Sequence, residues 1–507
     1  MKKLESHVFQ KDAQEGSLLQ WLERRGIELD TRCGRRGLCQ GCRVLIDGEE
    51  RRSCQVSTQD LREGAEVIPQ VVSSGKKVLH ALDSFSMDWK ASAGNEGMGL
   101  AIDIGTTTVV VALWDLKKGV LLDTSSSGNA QRRYGDNVLT RVQHELDGGG
   151  DDLHQALVEE NLKPLVKKLL GKHSGSAEML KRVIVAGNPV MLHTMLNLSL
   201  EGFASYPFNP HFLASRKVSA ELLGLFGEIE VNLLPGMGAF VGADIVAGAL
   251  SSGMIDGGEK VLLIDFGTNG EILLKNGDSW VATATAVGPA FEGGSLTCGR
   301  PADVHSIHHL DYVDGKWLLI GDQEDAAEYK GFSGSAYIDY ISLCLQQGWL
   351  TERGRYENDV PGVEVKELNI IGKVLRHLLA DKIYISETDL AELLKAKAAI
   401  QAGAEALLEE AGLDVSDLDQ VIVAGGFGYH MNLQHAMNLG LLPRVEISKV
   451  KIVGNASLGG ASRVLLDEGL LPSLEKLSSK TKVVELNLLD SFEDLYLDAL
   501  TFIPEED

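Results

Sequence analysis

Four thiols crowd the start of the chain. Thr31 to Cys54 reads TRCGRRGLCQGCRVLIDGEERRSC, which spaces Cys33, Cys39, Cys42 and Cys54 as C-x5-C-x2-C-x11-C. Three of them fall in a loop whose Gly34, Gly37 and Gly41 let the backbone wrap a compact inorganic core and aim its amides at sulfur. The fourth follows CRVLI, an Asp47-Gly48 reversal and Glu49–Ser53, the pattern of a tight hairpin. Four thiolates hold either an iron–sulfur cluster or structural zinc. Zinc ordinarily takes two separated C-x2-C pairs, and the grouping here is three plus one, which favours iron–sulfur. Arginines 32, 35, 36, 43, 51 and 52 surround the loop, as a docking face for an acidic partner or as solubilising charge.

A second chemistry is written in glycine-rich turns after apolar runs. Leu100-Ala101-Ile102-Asp103-Ile104-Gly105-Thr106-Thr107 leads into VVVALWD, and KVLLIDFGTNGEILL carries Asp265, Gly267, Thr268, Asn269, Gly270 and Glu271. An Asp at a strand end can hold Mg²⁺ through water, while the glycine and threonine offer amides and a hydroxyl to phosphate oxygens. Asp103 and Asp265 are thus the candidate catalytic residues. Gly105, Thr106, Thr107, Gly267, Thr268 and Asn269 are the candidate phosphate contacts. Downstream, QVIVAGGFG ends a third strand in glycines, and Gly425, Gly426 and Gly428 are placed to lie against adenosine. No G-x4-G-K-[ST] sequence occurs, which argues against a Walker-type site.

These sites need scaffolds. A chain of 507 residues is long enough for two to four domains. GSLLQWLERRGIELD has the spacing of a short amphipathic helix ending near Gly26. The strand–turn–strand units around Asp103 and Asp265 predict two mixed α/β lobes. Boundaries are expected at 1–72 for the cysteine module, 73–98 for a linker, 99–258 for the first lobe and 259–507 for the second. Lys plus Arg number 48 against 72 Asp plus Glu, a formal charge of −24 that excludes nucleic acid as the main partner. Residues 1–60 alone carry 11 basic against 10 acidic side chains, so the acidity belongs to the lobes. No stretch approaches the ~18 apolar residues of a membrane span, and MKKLESHVFQKDAQEG lacks an apolar signal core, so a cytoplasmic protein is expected.

Several residues have plainer readings. His305, His308 and His309 spell H-x-x-H-H, expected to be a polar turn rather than a metal site. Cys298 and Cys344 are isolated and expected to be buried thiols, not ligands at a subunit interface. Lys395 and Lys397 are expected to be solvated. The loop Gly288-Pro289-Ala290-Phe291-Glu292-Gly293-Gly294 is a candidate partner contact.

The helix, three-cysteine loop and hairpin resemble β-grasp [2Fe–2S] ferredoxins, whose plant-type pattern is C-x4-C-x2-C…C. The paired D-x-G-T turns with the later glycine strand end resemble the actin, sugar-kinase and heat-shock ATPase superfamily. In it two related lobes close over ATP. VAGNPVMLHTML (185–196), LLPGMGAFVGADIVAGAL (233–250), AVGPAFEGGSLTCG (286–299), GFSGSAYIDYI (331–341), DLAELLKAKAAIQAGAEALLEEAG (389–412), VAGGFGYHMNLQHAMNLGLLP (423–443) and KIVGNASLGGA (451–461) together resemble the ferredoxin-fused ATPases that reductively activate corrinoid proteins. That resemblance implies ATP-dependent transfer of an electron from the [2Fe–2S] cluster to cob(II)alamin on a methyl-transfer protein. It also implies Mg²⁺, a low-potential electron donor and a homodimer through the ATPase module. Longer members carry linker and middle segments for which the 48 residues between Cys54 and Asp103 leave no room, and GRPADVHSIHH (299–309) departs from the family's CGMRA…GAI. A small-molecule kinase with a redox-sensing head and a simple electron carrier are the competing functions.

Overall fold

The computed structural model describes residues 7–11, 16–25, 27, 29, 42–69, 89–173, 176–323, 325–368, 372–380 and 383–502. Cys33, Cys39 and the arginines at 32, 35 and 36 lie outside them.

The N-terminal module contains the four-stranded sheet β1 (His7–Val8), β4 (Glu66–Pro69), β2 (Arg43–Ile46) and β3 (Glu49–Arg52), in that order. Asp47 and Gly48 turn with φ of 49° and 88°, the left-handed pair a two-residue reversal requires, so Asp-Gly fixes the hairpin register Ile46↔Glu49. The amphipathic spacing gives the helix Leu18–Glu23, started by a Ser17/Gln20 capping box. Its Leu18, Leu19, Trp21 and Leu22 close a small core with Phe9, Val44 and Val67.

Two larger sheets repeat one topology. In the first, β7 (Val120–Gly128), β6 (Thr108–Asp115) and β5 (Met98–Ile104) run antiparallel. The sheet continues through β8 (Leu180–Gly187), parallel to β5, and then β10 (Glu230–Leu233) and β9 (Arg216–Val218). In the second, β13 (Ser279–Thr285), β12 (Gly270–Asn276) and β11 (Lys260–Phe266) are antiparallel. Gln420–Ala424 lies parallel to β11, followed by Val450–Ile452. The central strands are near-continuous apolar runs, LAIDI and VLLIDF, as strands buried on both faces must be. The repetition extends to register: Asp103 pairs with Ala186 and Asp265 with Ala424. Each partner begins the same Ala-Gly step, at 186–187 and 424–425.

The chain does not keep its two halves separate. The helix Ala456–Leu466 follows the last parallel strand of the second sheet, yet its Ala461, Val464 and Leu465 join the core of the first. It crosses the helix Ala243–Ser251 so closely that a Cβ on Gly460 would sit 2.1 Å from the Ala247 carbonyl oxygen, which only glycine avoids. Where the first lobe hands over to the second, Lys275 Nζ donates to the carbonyls of Met254, Ile255 and Gly257 at 3.0 to 3.1 Å. Residues 89–97, within the expected linker, lie against the first lobe: Trp89 packs 6.2 Å from Trp114, and Ser92 N and Asn95 Nδ2 both donate to Leu466 O. Among the described residues no helix is long and apolar enough to cross a membrane.

Candidate functional site

The two D-x-G-T turns face each other. Thr107, after β5, and Thr268, after β11, bring their hydroxyl oxygens within 2.5 Å, although 161 residues separate them. Both hydroxyls also donate to Glu292 Oε2, at 3.0 and 3.2 Å. The turns are tight: Gly105 N donates to Thr108 O and Gly267 N to Asn269 O, and a Cβ on Gly105 would stand 2.7 Å from the Thr108 oxygen.

Three asparagines support the first turn in the same manner. Each caps a helix with its carbonyl oxygen and extends its amide to the site. Asn129 accepts from Gln131 N and donates to Gly105 O. Asn188 accepts from Met191 N and donates to Thr106 Oγ1. Asn455 accepts from Leu458 N and donates to Asp103 Oδ2 at 2.7 Å, while Ser457 Oγ donates to the other oxygen at 2.7 Å. Asp103 therefore rests on the N-terminus of the helix Ala456–Leu466, where backbone dipoles favour a negative charge. The buried Arg141 adds a donor to Thr106 O at 2.6 Å.

Around these turns five carboxyl groups share the cleft: Asp103, Asp244, Asp265, Glu271 and Glu292. Withdrawal from water, then the neighbouring carboxylates of Asp244, Asp103 and Glu292, push Asp265 up to about 8. Withdrawal from water and Asp103 push Asp244 up to about 7. Glu271, which is buried, is raised well above its ordinary value for the same reasons. Oxygen donors of this kind suit a hard divalent cation such as Mg²⁺. Among the described residues no three His, Cys, Asp or Glu converge tightly enough to ligate one ion directly.

These shifts have a stability consequence. The folded chain binds protons on Asp265 and Asp244 that the unfolded chain, with carboxylates near ~4, has released. Stability without metal must therefore fall as pH rises from ~4 toward the folded values of about 7 and about 8. Between pH 6 and 9 the expected loss is about 2–4 kcal/mol, read as a lower unfolding temperature in EDTA. Asp265→Asn should flatten that slope, and excess Mg²⁺ should restore stability at the alkaline end. An unchanged slope in Asp265→Asn would show that the carboxyl groups do not share the cleft as described.

The glycines expected against adenosine are placed unequally. Gly425 has φ +94°, and a Cβ there would meet Phe266 O at 2.4 Å and Asp265 Oδ1 at 3.0 Å, so it lets the third strand end close on the second turn. Gly426 is exposed with open space around it, while Gly428 is buried against Val423.

Several plainer expectations need correcting. The loop 288–294, the candidate partner contact, also reaches the two turns through Glu292 and stacks Phe291 on Phe427 at 4.9 Å. His308 and His309 are not in a turn but on the strand Ser306–Val313. There His309 Nδ1 lies 3.0 Å from the buried Asp339, which His435 Nδ1 also meets at 2.7 Å. Lys397 is not solvated: it is buried, donates to Ala499 O and Thr501 O, and is lowered to about 8 by burial. Lys395 is exposed and pairs with Glu392, and Cys298 and Cys344 are buried. Sequence reasoning missed Asp244, Glu292 and the capping asparagines. Asp244, Glu292, Asn188 and Asn455 were inside quoted motifs and Asn129 was not, and the signal was only an Asp at a helix start, an Asn before a helical run or a Glu in a glycine loop.

In the N-terminal module the β2–β3 hairpin carries Cys42 and Cys54 back together, with their sulfurs 3.3 Å apart. The hairpin thus places two of the four expected ligand sulfurs side by side, Cys42 donating to Cys54.

Residues 259–507 match a family model described as the C-terminal domain of RACo, the ASKHA domain, and residues 98–256 match one described as the RACo middle region. The expectation that the chain lacks a middle segment is thereby corrected: the matched residues are those of the first six-stranded sheet. The chain is 30% identical over 421 residues to the corrinoid activation enzyme RamQ of Eubacterium limosum, covering 79% of this chain and 69% of that protein. It is 25% identical to the [Co(II) methylated amine-specific corrinoid protein] reductase of Methanosarcina barkeri, over 80% and 77% of the two chains. Among solved structures it resembles a reductive activator for corrinoid, iron–sulfur protein, with a TM-score of 0.72 and 32% identity over 81% of this chain and 67% of that one.

Proposed function

Because the chain belongs to the RACo family of ASKHA-fold corrinoid activators, we propose that it uses ATP to drive one electron onto the cobalt of cob(II)alamin held by a methyl-transfer protein, regenerating cob(I)alamin. The observation that supports the ATP half of this reading is the meeting of Thr107 and Thr268 beside the buried carboxylates. Amides and hydroxyls of Thr106, Thr107, Thr268 and Asn269 receive the phosphates, while Gly105 and Gly267, whose own amides close the turns, let the phosphates approach the backbone. Asp103 and Asp265 hold Mg²⁺ through water or orient the attacking water, with Asp244 and Glu271 alongside. Gly425 and Gly426 admit adenosine, and Gly428 shapes their loop.

Cys33, Cys39, Cys42 and Cys54 would hold a [2Fe–2S] cluster in a ferredoxin-like domain. Bound there, the cluster supplies one electron at a potential near ~−400 mV, and a low-potential donor must reload it. Transfer from such a cluster to cob(II)alamin runs uphill, and ATP can help only if the nucleotide states differ in affinity for the partner or its redox state. The cleft offers that difference because its two phosphate turns come from different lobes, so what lies between them sets how the lobes meet.

The test is to mix reduced protein and ATP with corrinoid proteins and follow cob(II) absorption. ATP-dependent bleaching with at least one partner is expected, and none with any partner would sink the reading.

A further inference from the structure

Glu292 stands in a position the proposed chemistry does not use. Its loop connects β13 to the rest of the second lobe, and its Oε2 accepts from hydroxyls of both lobes at once. The three oxygens form a closed triangle, with Thr107 and Thr268 2.5 Å apart and each about 3 Å from the carboxyl. Each hydroxyl owns one proton. The two protons cover at most two of the three edges, so at least one of them goes to Glu292, and a phosphoryl oxygen that accepts from both hydroxyls takes it.

The backbone on either side of the carboxyl is closely packed. Gly293 has φ +74°, and a Cβ there would lie 2.4 Å from both Arg300 N and Arg300 O. The preceding Phe291 is clamped between Phe427 at 4.9 Å and Phe266 at 5.9 Å, and its carbonyl oxygen lies 2.0 Å from where a Cβ on Gly334 would be. Gly288 N is bonded to Thr268 O at 2.9 Å, tying the loop to the second turn. Only the side chain is free to yield. The charged groups that face it are Arg132 of the first lobe, which favours its ionised form, and Asp265 of the second, whose charge it raises in cost. Burial is the largest influence on Glu292 itself and raises the cost of its ionised form.

We propose that Glu292 is the positioning residue by which the cleft tells ATP from ADP: its carboxyl competes with the terminal phosphate for the hydroxyl protons of Thr107 and Thr268. This rests on the ATP reading above. A nucleotide that reaches the threonines must displace the carboxyl and tolerate its negative charge; one that lacks the terminal phosphate leaves the triangle intact. The adenosine side is common to both nucleotides, so the discrimination falls on this contact. Hydrolysis then returns the two hydroxyls to Glu292, and the joint between the lobes changes with the nucleotide state.

The experiment is calorimetric titration of the full chain with ATP and with ADP, each with Mg²⁺, for the wild type, Glu292→Gln and Glu292→Ala. Both variants remove the competing charge, so ATP affinity should rise about tenfold while ADP affinity changes less than about threefold. Glu292→Ala keeps the test alive should the glutamine variant misfold, since it leaves no polar group at this partly buried position. A purely structural role would move both affinities together. An unchanged ATP-to-ADP preference in a folded variant would overturn the proposal and leave the ATP reading standing. Wild-type protein that binds neither nucleotide would overturn both.

Discussion

Asp265→Ala should lower ATP hydrolysis at least about 100-fold, the scale on which single electrostatic groups act in such sites, while leaving the visible spectrum of the N-terminal module unchanged. The position makes the effect specific. Asp265 lies one residue from the end of the central strand of the second sheet and faces Asp244, Asp103 and Glu292, and a Cβ on Gly425 would lie 3.0 Å from its Oδ1. Its charge also raises the cost of ionising Glu271. Removing it relieves repulsion among groups that are already withdrawn from water, so the metal-free variant should be as stable as the wild type or more so. That combination, lost activity with gained stability, marks a group retained for chemistry rather than for folding. Hydrolysis at the wild-type rate would refute the nucleotide assignment. A fall in unfolding temperature matching the fall in activity would make Asp265 a structural residue.

What the sequence revealed about this site was what is local. A β-strand that ends in Asp-x-Gly-Thr and resumes three residues later states its turn in its own letters, and both copies fold as read. The Asp47-Gly48 hairpin is equally self-contained. Residues whose roles depend on distant neighbours were not legible. Glu292 looks like any exposed glutamate in a glycine loop until the first lobe delivers Thr107 to it. Asn188 and Asn455 read as helix caps, which they are; that their amides point at Thr106 and Asp103 depends on how strands 80 to 350 residues apart in the chain are stacked. Lys397 lies on a helix whose small and apolar residues mark its core side, but its own burial follows from the chain's last turns covering it with the carbonyls of Ala499 and Thr501. The helix Ala456–Leu466 could be foreseen as a helix, yet not as part of the first lobe's core, because amphipathic spacing names a buried face without naming what buries it.

Cys54→Ser should have the opposite profile from Asp265→Ala: ATP hydrolysis retained, visible absorption and ATP-dependent cobalt reduction lost. The hairpin delivers Cys54 to Cys42 with little freedom. Arg43 pairs with Arg52, Ser53 N and Oγ both donate to Cys42 O at 2.9 and 2.8 Å, and the sulfurs finish 3.3 Å apart. Cys42 donates to Cys54 at that separation, and the sulfurs stand beyond the ~2.05 Å of a disulfide. A serine hydroxyl does not ionise near neutral pH and is a hard, poor partner for iron, so one substitution removes a ligand the others cannot replace. The pairing gives a second readout. In protein stripped of metal, Cys42 and Cys54 should oxidise readily to a disulfide, while the buried Cys344, whose thiol is pushed up by burial, stays reduced. Iron and sulfide in the purified wild type, both lost in Cys54→Ser, would identify the centre as iron–sulfur. Zinc in their place would leave the ATPase reading intact but remove the electron source from the proposed reaction.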